Sequence, residues 1–268
     1  MSLQRIDRVY RGKPTHHYEL DGERIPGVTS LLGDGLPKPA LVRWASKSVA
    51  EYVADNTEAV RTMLDTMGRE SIVGALKGVP WAARDAAAAR GTEVHALAEA
   101  IIHGETVEVP EHLAGYVDGY VRWLDSWQVE VVQTEVTVCR RSRDGLPAYA
   151  GTYDADVRIG AGEYAGARAL LDWKTSKGVY GDNGLQLAMY ANADFALAAD
   201  GSEQPIPEYD MLGVVHVTPT GSDLYPISDP AAAWRIARHV AYLAVHMPAI
   251  KALVGDPAPA PTTGEDAA

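Results

Sequence analysis

At 268 residues and 28.7 kDa the chain is long enough for one sizeable core. Its composition, 47% hydrophobic and 22% charged, excludes an intrinsically disordered protein. The 24 basic residues are outnumbered by 36 acidic ones, for a net charge of −12, so the surface as a whole repels phosphate and any nucleic-acid site must be a local basic patch.

The single cysteine, Cys139, leaves no internal disulfide, four-cysteine zinc site or four-cysteine iron–sulfur cluster. It points to a reducing, cytoplasmic setting. No stretch approaches the ~18 apolar residues of a membrane span, and the first residues carry no signal-peptide run, so a membrane is not among the expected partners.

In chain order, a short strand around Tyr18 and Leu20 is turned by Asp21-Gly22. A helix starts near Lys38-Pro39 and repeats Leu41, Trp44, Ala45 and Val49 at helical spacing. Residues 58–77 read as helical with breaks at Gly68 and Gly74. Pro80 opens an Ala-rich helix that runs to about His103. Gly91 inside it costs ~1 kcal/mol relative to Ala, which marks either a close backbone approach or a break before Val94 and His95. The next helix sets Leu113, Val117, Tyr120, Leu124 and Trp127 on one core-facing stripe.

The period then changes from 3.6 to 2. VEVVQTEVTVC and AYAGTYDADVRIG read as antiparallel strands joined through Asp144-Gly145, and ARALLDWKTS as a third. NGLQLAMYANADFALAAD reads as one helix with Leu185, Met189, Asn192 and Ala196 along one side. MLGVVHVTP and DLYPI add two strands, and a helix follows Asp229-Pro230. One α/β domain over 1–255 is implied, with a helical part at about 38–127, a sheet at about 129–226 and a closing helix at about 230–254. The Pro-, Ala- and acid-rich tail, 256–268, is expected to be disordered.

Side chains two apart on a strand share a face, so Asp172 and Lys174 project together, as do Thr152, Asp154, Asp156 and Arg158, with Tyr153, Ala155 and Val157 opposite. If the polar faces adjoin, carboxylates and an ammonium converge, an arrangement that a divalent cation would neutralise. The plainer alternative is an exposed ion pair worth ~0–1 kcal/mol.

GTYDAD, then LLDWKTSK, then LQLAMY, preceded by RGTEVHALAE, resembles the RecB-like, phage-type exonuclease branch of the PD-(D/E)XK nuclease superfamily over roughly residues 15–255. The resemblance implies a restriction-endonuclease-like αβββαβ core, a central mixed sheet flanked by helices. It implies Mg²⁺ or Mn²⁺ held by His95, Asp154, Asp172 and the backbone carbonyl of Trp173. Lys174 would activate the attacking water and stabilise the transition state, while Gln186 and Tyr190, four apart on a helix, would support the site and the DNA backbone. The expected activity is hydrolysis of DNA phosphodiesters from ends, in phage or bacterial recombination and repair. Single strands would pass to an annealing or strand-exchange protein. With no further cysteines and no Walker motif, neither an iron–sulfur cluster nor ATP is expected.

Glu135 and Asp156 are further candidate metal carboxylates. Arg140, Arg141 and Arg143, in the turn beside the acidic strand, and Lys177 are candidate DNA contacts. His95, Glu99 and His103 share a helix face, so a zinc site is an alternative there, although no H-E-x-x-H motif or cysteine partner accompanies them. His16 and His17 read as surface residues. Two other activities stay open: an endonuclease on the same fold, and a non-catalytic DNA-binding or interaction protein. Polarity, strand preference and oligomeric state are left open by these motifs.

Overall fold

A computed structural model describes residues 2–10, 12–102 and 104–258. Strands β1 (Leu3–Tyr10), β2 (Lys13–Leu20) and β3 (Glu23–Ile25) form a small antiparallel sheet in that order. Asp21 and Gly22 both have positive φ, 55° and 82°, as a two-residue hairpin turn of the Asp-Gly type demands. α1 (Val28–Gly35), α2 (Pro39–Asp55), α3 (Thr57–Thr66) and α4 (Arg69–Ile102) follow, then a 3₁₀ turn at Glu111–Leu113 and α5 (Ala114–Trp127).

Two helical expectations change. α2 begins at Pro39 as its sequence requires, yet none of its residues is buried and Leu41 is half exposed, so its stripe is not core. The chain breaks around Gly68, but α4 then runs unbroken through Gly74, Pro80 and Gly91 for 34 residues. A helix-interior Pro costs ~3 kcal/mol, but stopping there would leave more backbone groups without partners and require a second costly nucleus. His103 lies outside the described residues.

The main sheet has seven strands, β4 (Glu130–Arg140), β5 (Tyr149–Arg158), β6 (Arg168–Lys174), β7 (Phe195–Leu197), β8 (Glu203–Gln204), β9 (Met211–Thr218) and β10 (Gly221–Pro226), in the order β10-β9-β6-β5-β4-β7-β8. Among the described residues of this sheet only β6 and β9 pair in parallel. Parallel neighbours need a crossover, and α6 (Gly181–Ala191) lies within it. α7 (Pro230–Lys251) closes the described fold, and the Asp229 side chain accepts from Ala232 N–H at its start. The fold is therefore α/β, a mixed central sheet flanked by helices, and α5-β4-β5-β6-α6-β9 runs in the αβββαβ order.

α6 stops at Ala191, and Phe195–Leu197 is a strand rather than more helix. Phe195 is buried with Leu3, Tyr18, Ile25, Cys139 and Ala150, and pairing of Ala196 with Val138 covers what would otherwise be an open sheet edge.

The sheet separates two larger cores. Leu170, Leu212 and Val214 meet Leu187 and Met189 of α6 and Ala237 and Ala241 of α7 on one face. Ala169, Leu171, Trp173 and Val215 meet Tyr120 and Trp123 of α5 on the other. Among the described residues no helix is long and apolar enough to cross a membrane.

Candidate metal centre and its cleft

β5 and β6 pair from Arg158–Arg168 to Ala155–Leu171, and their pairing ends there. β6 goes on alone against β9 as far as Lys174. The next residue on each side of the split is an aspartate: Asp154 on β5 and Asp172 on β6. The fork exposes backbone groups of Trp173, and side chains satisfy them. Trp173 N–H donates to Asp154 Oδ2 at 2.6 Å, and His95 Nε2–H donates to the Trp173 carbonyl at 3.0 Å. His95 Nδ1 then lies 3.9 Å from Asp154 Oδ2.

His95 reaches the fork because α4 crosses the end of β6 closely. A Cβ on Gly91 would lie 3.1 Å from Thr175 Oγ1, so of the two explanations for that glycine it is the close approach that holds, and the helix does not break.

On the neighbouring face Asp172 is 1% exposed. Its Oδ1 accepts from Gln186 Nε2 at 3.2 Å, and Gln186 Nε2 also donates to Tyr190 Oη at 2.9 Å. Asp172 Oδ2 lies 2.5 Å from Lys174 Nζ. Burial and then Asp154 push the Asp172 carboxyl above its ordinary value, against the pull of Lys174 and His95. Burial disfavours the Lys174 ammonium, yet Asp172 and Asp154 outweigh it and hold that group above its ordinary value. The phenol of Tyr190 is raised by burial and by Asp172, so it stays protonated.

Glu135 completes the cluster. One ligand atom each from His95, Glu135 and Asp154 lie within 4.8 Å of one another. Burial, then Asp154 and Glu99, push the Glu135 carboxyl up to about 7, while Arg5 Nη1 stands 3.8 Å from it. Glu135 adopts φ 50° in mid-strand, and at that level strict alternation fails. Tyr153 packs with Val136 and Val138 in one core, whereas Ala155 and Val157 pack in the other. The expectation that Tyr153, Ala155 and Val157 share a face is therefore corrected, and the break in step falls at Asp154.

Asp156 is not part of the cluster. It is fully buried and takes a bidentate contact from Arg168, at 3.0 and 2.6 Å. Nor do the turn arginines face it. Arg140 is buried, 3.7 Å from Asp194, and its guanidinium lies over Trp234. Arg141 is bound to Glu203 at 2.6 Å and Arg143 to Asp194 at 2.6 Å. All three belong to ion pairs at the far end of β4 from Glu135. Lys177 is exposed in the segment between β6 and α6. The groups that converge with His95 are Glu135 and Asp154; the helical zinc alternative also needs His103, which lies outside the described residues.

A cleft of about 790 Å³ opens onto this centre. Arg5 and Arg8 of β1 and His16 of β2 line it from one side, Arg84 and His95 of α4 from the other, and Glu135 and Lys174 lie at the site end. Arg5, Arg8 and His16 carry no motif, and only the docking of the small sheet brings them here. His17, expected at the surface, is buried against Glu19, 2.9 Å away.

No family model matches the chain and no curated protein matches it. Among solved structures it is similar to one described as "Crystal structure of SSO0001", at 17% identity and a TM-score of 0.36, covering 87% of this chain and 79% of that one. A likeness at that level carries no argument about function.

Proposed function

We propose that the chain is a divalent-metal-dependent DNA exonuclease of the RecB-like PD-(D/E)XK kind that its motifs resemble. One observation carries this: His95, Asp154 and the Trp173 backbone, contributed by α4, β5 and β6, are joined where β5 and β6 separate, with the Asp172–Lys174 pair on the neighbouring face of β6.

The donor set suits a hard cation. Carboxylate oxygens and a carbonyl are what Mg²⁺ takes, and Mn²⁺ accepts an imidazole as well. Two carboxylates with raised pKa beside a third, Asp154, are an acidic cluster short of positive charge. His95, Asp154, Asp172 and the Trp173 carbonyl would hold the ion, with Glu135 in reach as a further carboxylate. When bound, Mg²⁺ or Mn²⁺ supplies a water of lowered pKa and a Lewis acid for the phosphodiester.

The remaining roles belong to the chain. Asp172 and Asp154 keep Lys174 charged, so its ammonium can orient the attacking water and stabilise negative charge developing on phosphate. Gln186, held by the Tyr190 hydroxyl, fixes the Asp172 carboxylate from behind. Hydrolysis by a metal-activated water needs no covalent intermediate, and no ATP or iron–sulfur cluster enters. We place this activity in the cytoplasm, in phage or bacterial recombination and repair.

The test is a nuclease assay on linear and closed circular DNA, single- and double-stranded, with Mg²⁺ or Mn²⁺. Linear substrates should be degraded and circles spared. Lys174→Ala, verified as folded by circular dichroism, should lose at least ~10²–10³-fold in rate. Cutting of circles would make the protein an endonuclease. Wild-type protein that leaves every substrate intact with either metal would overturn the proposal.

A further inference from the structure

The chain carries net charge −12, yet away from the carboxylates of the centre its cleft is lined by Arg5, Arg8 and Arg84 against Asp7. A local basic wall of this kind lets an acidic surface receive a polyanion. The α4 wall extends beyond Arg84. Trp81, Arg84, Ala88, Gly91 and His95 follow at spacings of 3, 4, 3 and 4 and share a helix face; the last four line the cleft. Trp81 is 56% exposed, and α4 buries Pro80, Val94 and Ala98 instead. The Arg84 guanidinium lies 4.5 Å from the centre of the Trp81 ring, which combines an aromatic face and a cation at one point. Arg84 also pairs with Asp85 at 3.3 Å, but both side chains are solvent-accessible, so that pair contributes little and can yield to phosphate.

We infer that Trp81 and Arg84 form a station for single-stranded DNA, the indole stacking on an unpaired base and the guanidinium contacting its phosphate. The inference rests on the nuclease proposal for the identity of the polymer. Stacking on a side chain requires a base whose face is free, and in a duplex neighbouring pairs cover the faces. Trp81 and His95 are fourteen residues apart, ~21 Å along the helix at ~1.5 Å per residue. That distance is ~6 stacked nucleotides at ~3.4 Å each, so the station engages only substrates long enough to span it.

Binding of fluorescein-labelled oligothymidine, from a dinucleotide to lengths beyond the span, would be followed by anisotropy without divalent metal. Wild type, Trp81→Ala, Trp81→Phe and Arg84→Gln would be compared. For long oligothymidine, Trp81→Ala should weaken binding about tenfold, Trp81→Phe should restore most of the loss, and Arg84→Gln should reduce the dependence on salt. The deficit should shrink as the oligomer becomes too short to span Trp81 and the centre. The inference is overturned if Trp81→Ala binds long oligothymidine as wild type does, if its deficit is independent of length, or if wild type binds no oligothymidine. Hydrolysis is scored separately, so a protein that binds through Trp81 but cleaves nothing would refute the nuclease proposal while leaving the station standing.

Discussion

Glu135 occupies a left-handed backbone position, φ 50°, in the middle of a strand, and non-glycine residues so placed cluster at functional sites. The deviation sets its carboxylate beside His95 and Asp154. Burial, Asp154 and Glu99 raise that carboxyl from its ordinary 4.5 to about 7. A raised acid favours the protonated fold, so its contribution to the metal-free protein is full below 4.5 and is lost as the pH rises through about 7. The side chain is 39% exposed, and solvent screening keeps that contribution small. Metal must displace the same proton. Mn²⁺ affinity, measured by titration calorimetry, should therefore rise with pH up to about 7 and level off above it. Glu135→Gln should flatten the dependence in that window; a variant with the wild-type pH profile would remove Glu135 from the centre. Asp154, Asp172 and Lys174 stand out in sequence through the motif, and the two-residue period marks Asp172 with Lys174 but loses step at Asp154. Asp156 satisfied the same parity, but Arg168, twelve residues away, claims it, and no local pattern reveals such a pairing.

At the level of elements, two glycines set how closely helices approach the sheet. Gly91 lets α4 cross Thr175 and deliver His95. Gly151 does the same for α6: a Cβ there would run into the Tyr190 ring and lie 3.1 Å from Val28 Cγ2, and both side chains are buried. Gly151→Ala should destabilise the fold by ~1–3 kcal/mol in chemical denaturation, the usual cost of overpacking. It should also lower the proposed nuclease activity, by moving Tyr190 and with it Gln186 and Asp172. Gly33→Ala, whose new Cβ meets nothing within 4 Å, is the control and should show neither loss. Unchanged stability in Gly151→Ala would mean that the contact between β5 and α6 is looser than described. Element type was readable wherever periodicity was long, as in α5 and β4 to β6. It failed at Pro80, where a long helix absorbs a local breaker, and at Phe195, where pairing with β4 overrides a helical pattern.

For the whole molecule, three chain segments far apart in sequence converge at one cleft, and a bound cation would tie them together. A ligand that binds only the folded state stabilises it by ~2.7 kcal/mol at a hundred times its dissociation constant. For a chain of this size that is a rise of ~5–10 °C in melting temperature. Mn²⁺ should give this shift in a thermal melt of wild type, and Asp154→Asn should abolish most of it. An equal shift in both proteins would place the metal elsewhere.

By itself the sequence determined the alternating and helical patterns, the α/β class, the order of the strands along the chain and the motif residues of the fork, because each depends on neighbours a few residues away. Tertiary structure decided which strands are adjacent, that β5 and β6 part at Asp154 and Asp172, and that β1 and β2 bring Arg5, Arg8 and His16 opposite α4. It also decided that Arg140, Arg141 and Arg143 are spent on Asp194 and Glu203. These outcomes depend on pairing energies between segments separated by tens of residues, where charge and burial are set by whichever surfaces meet and not by the local period of the chain.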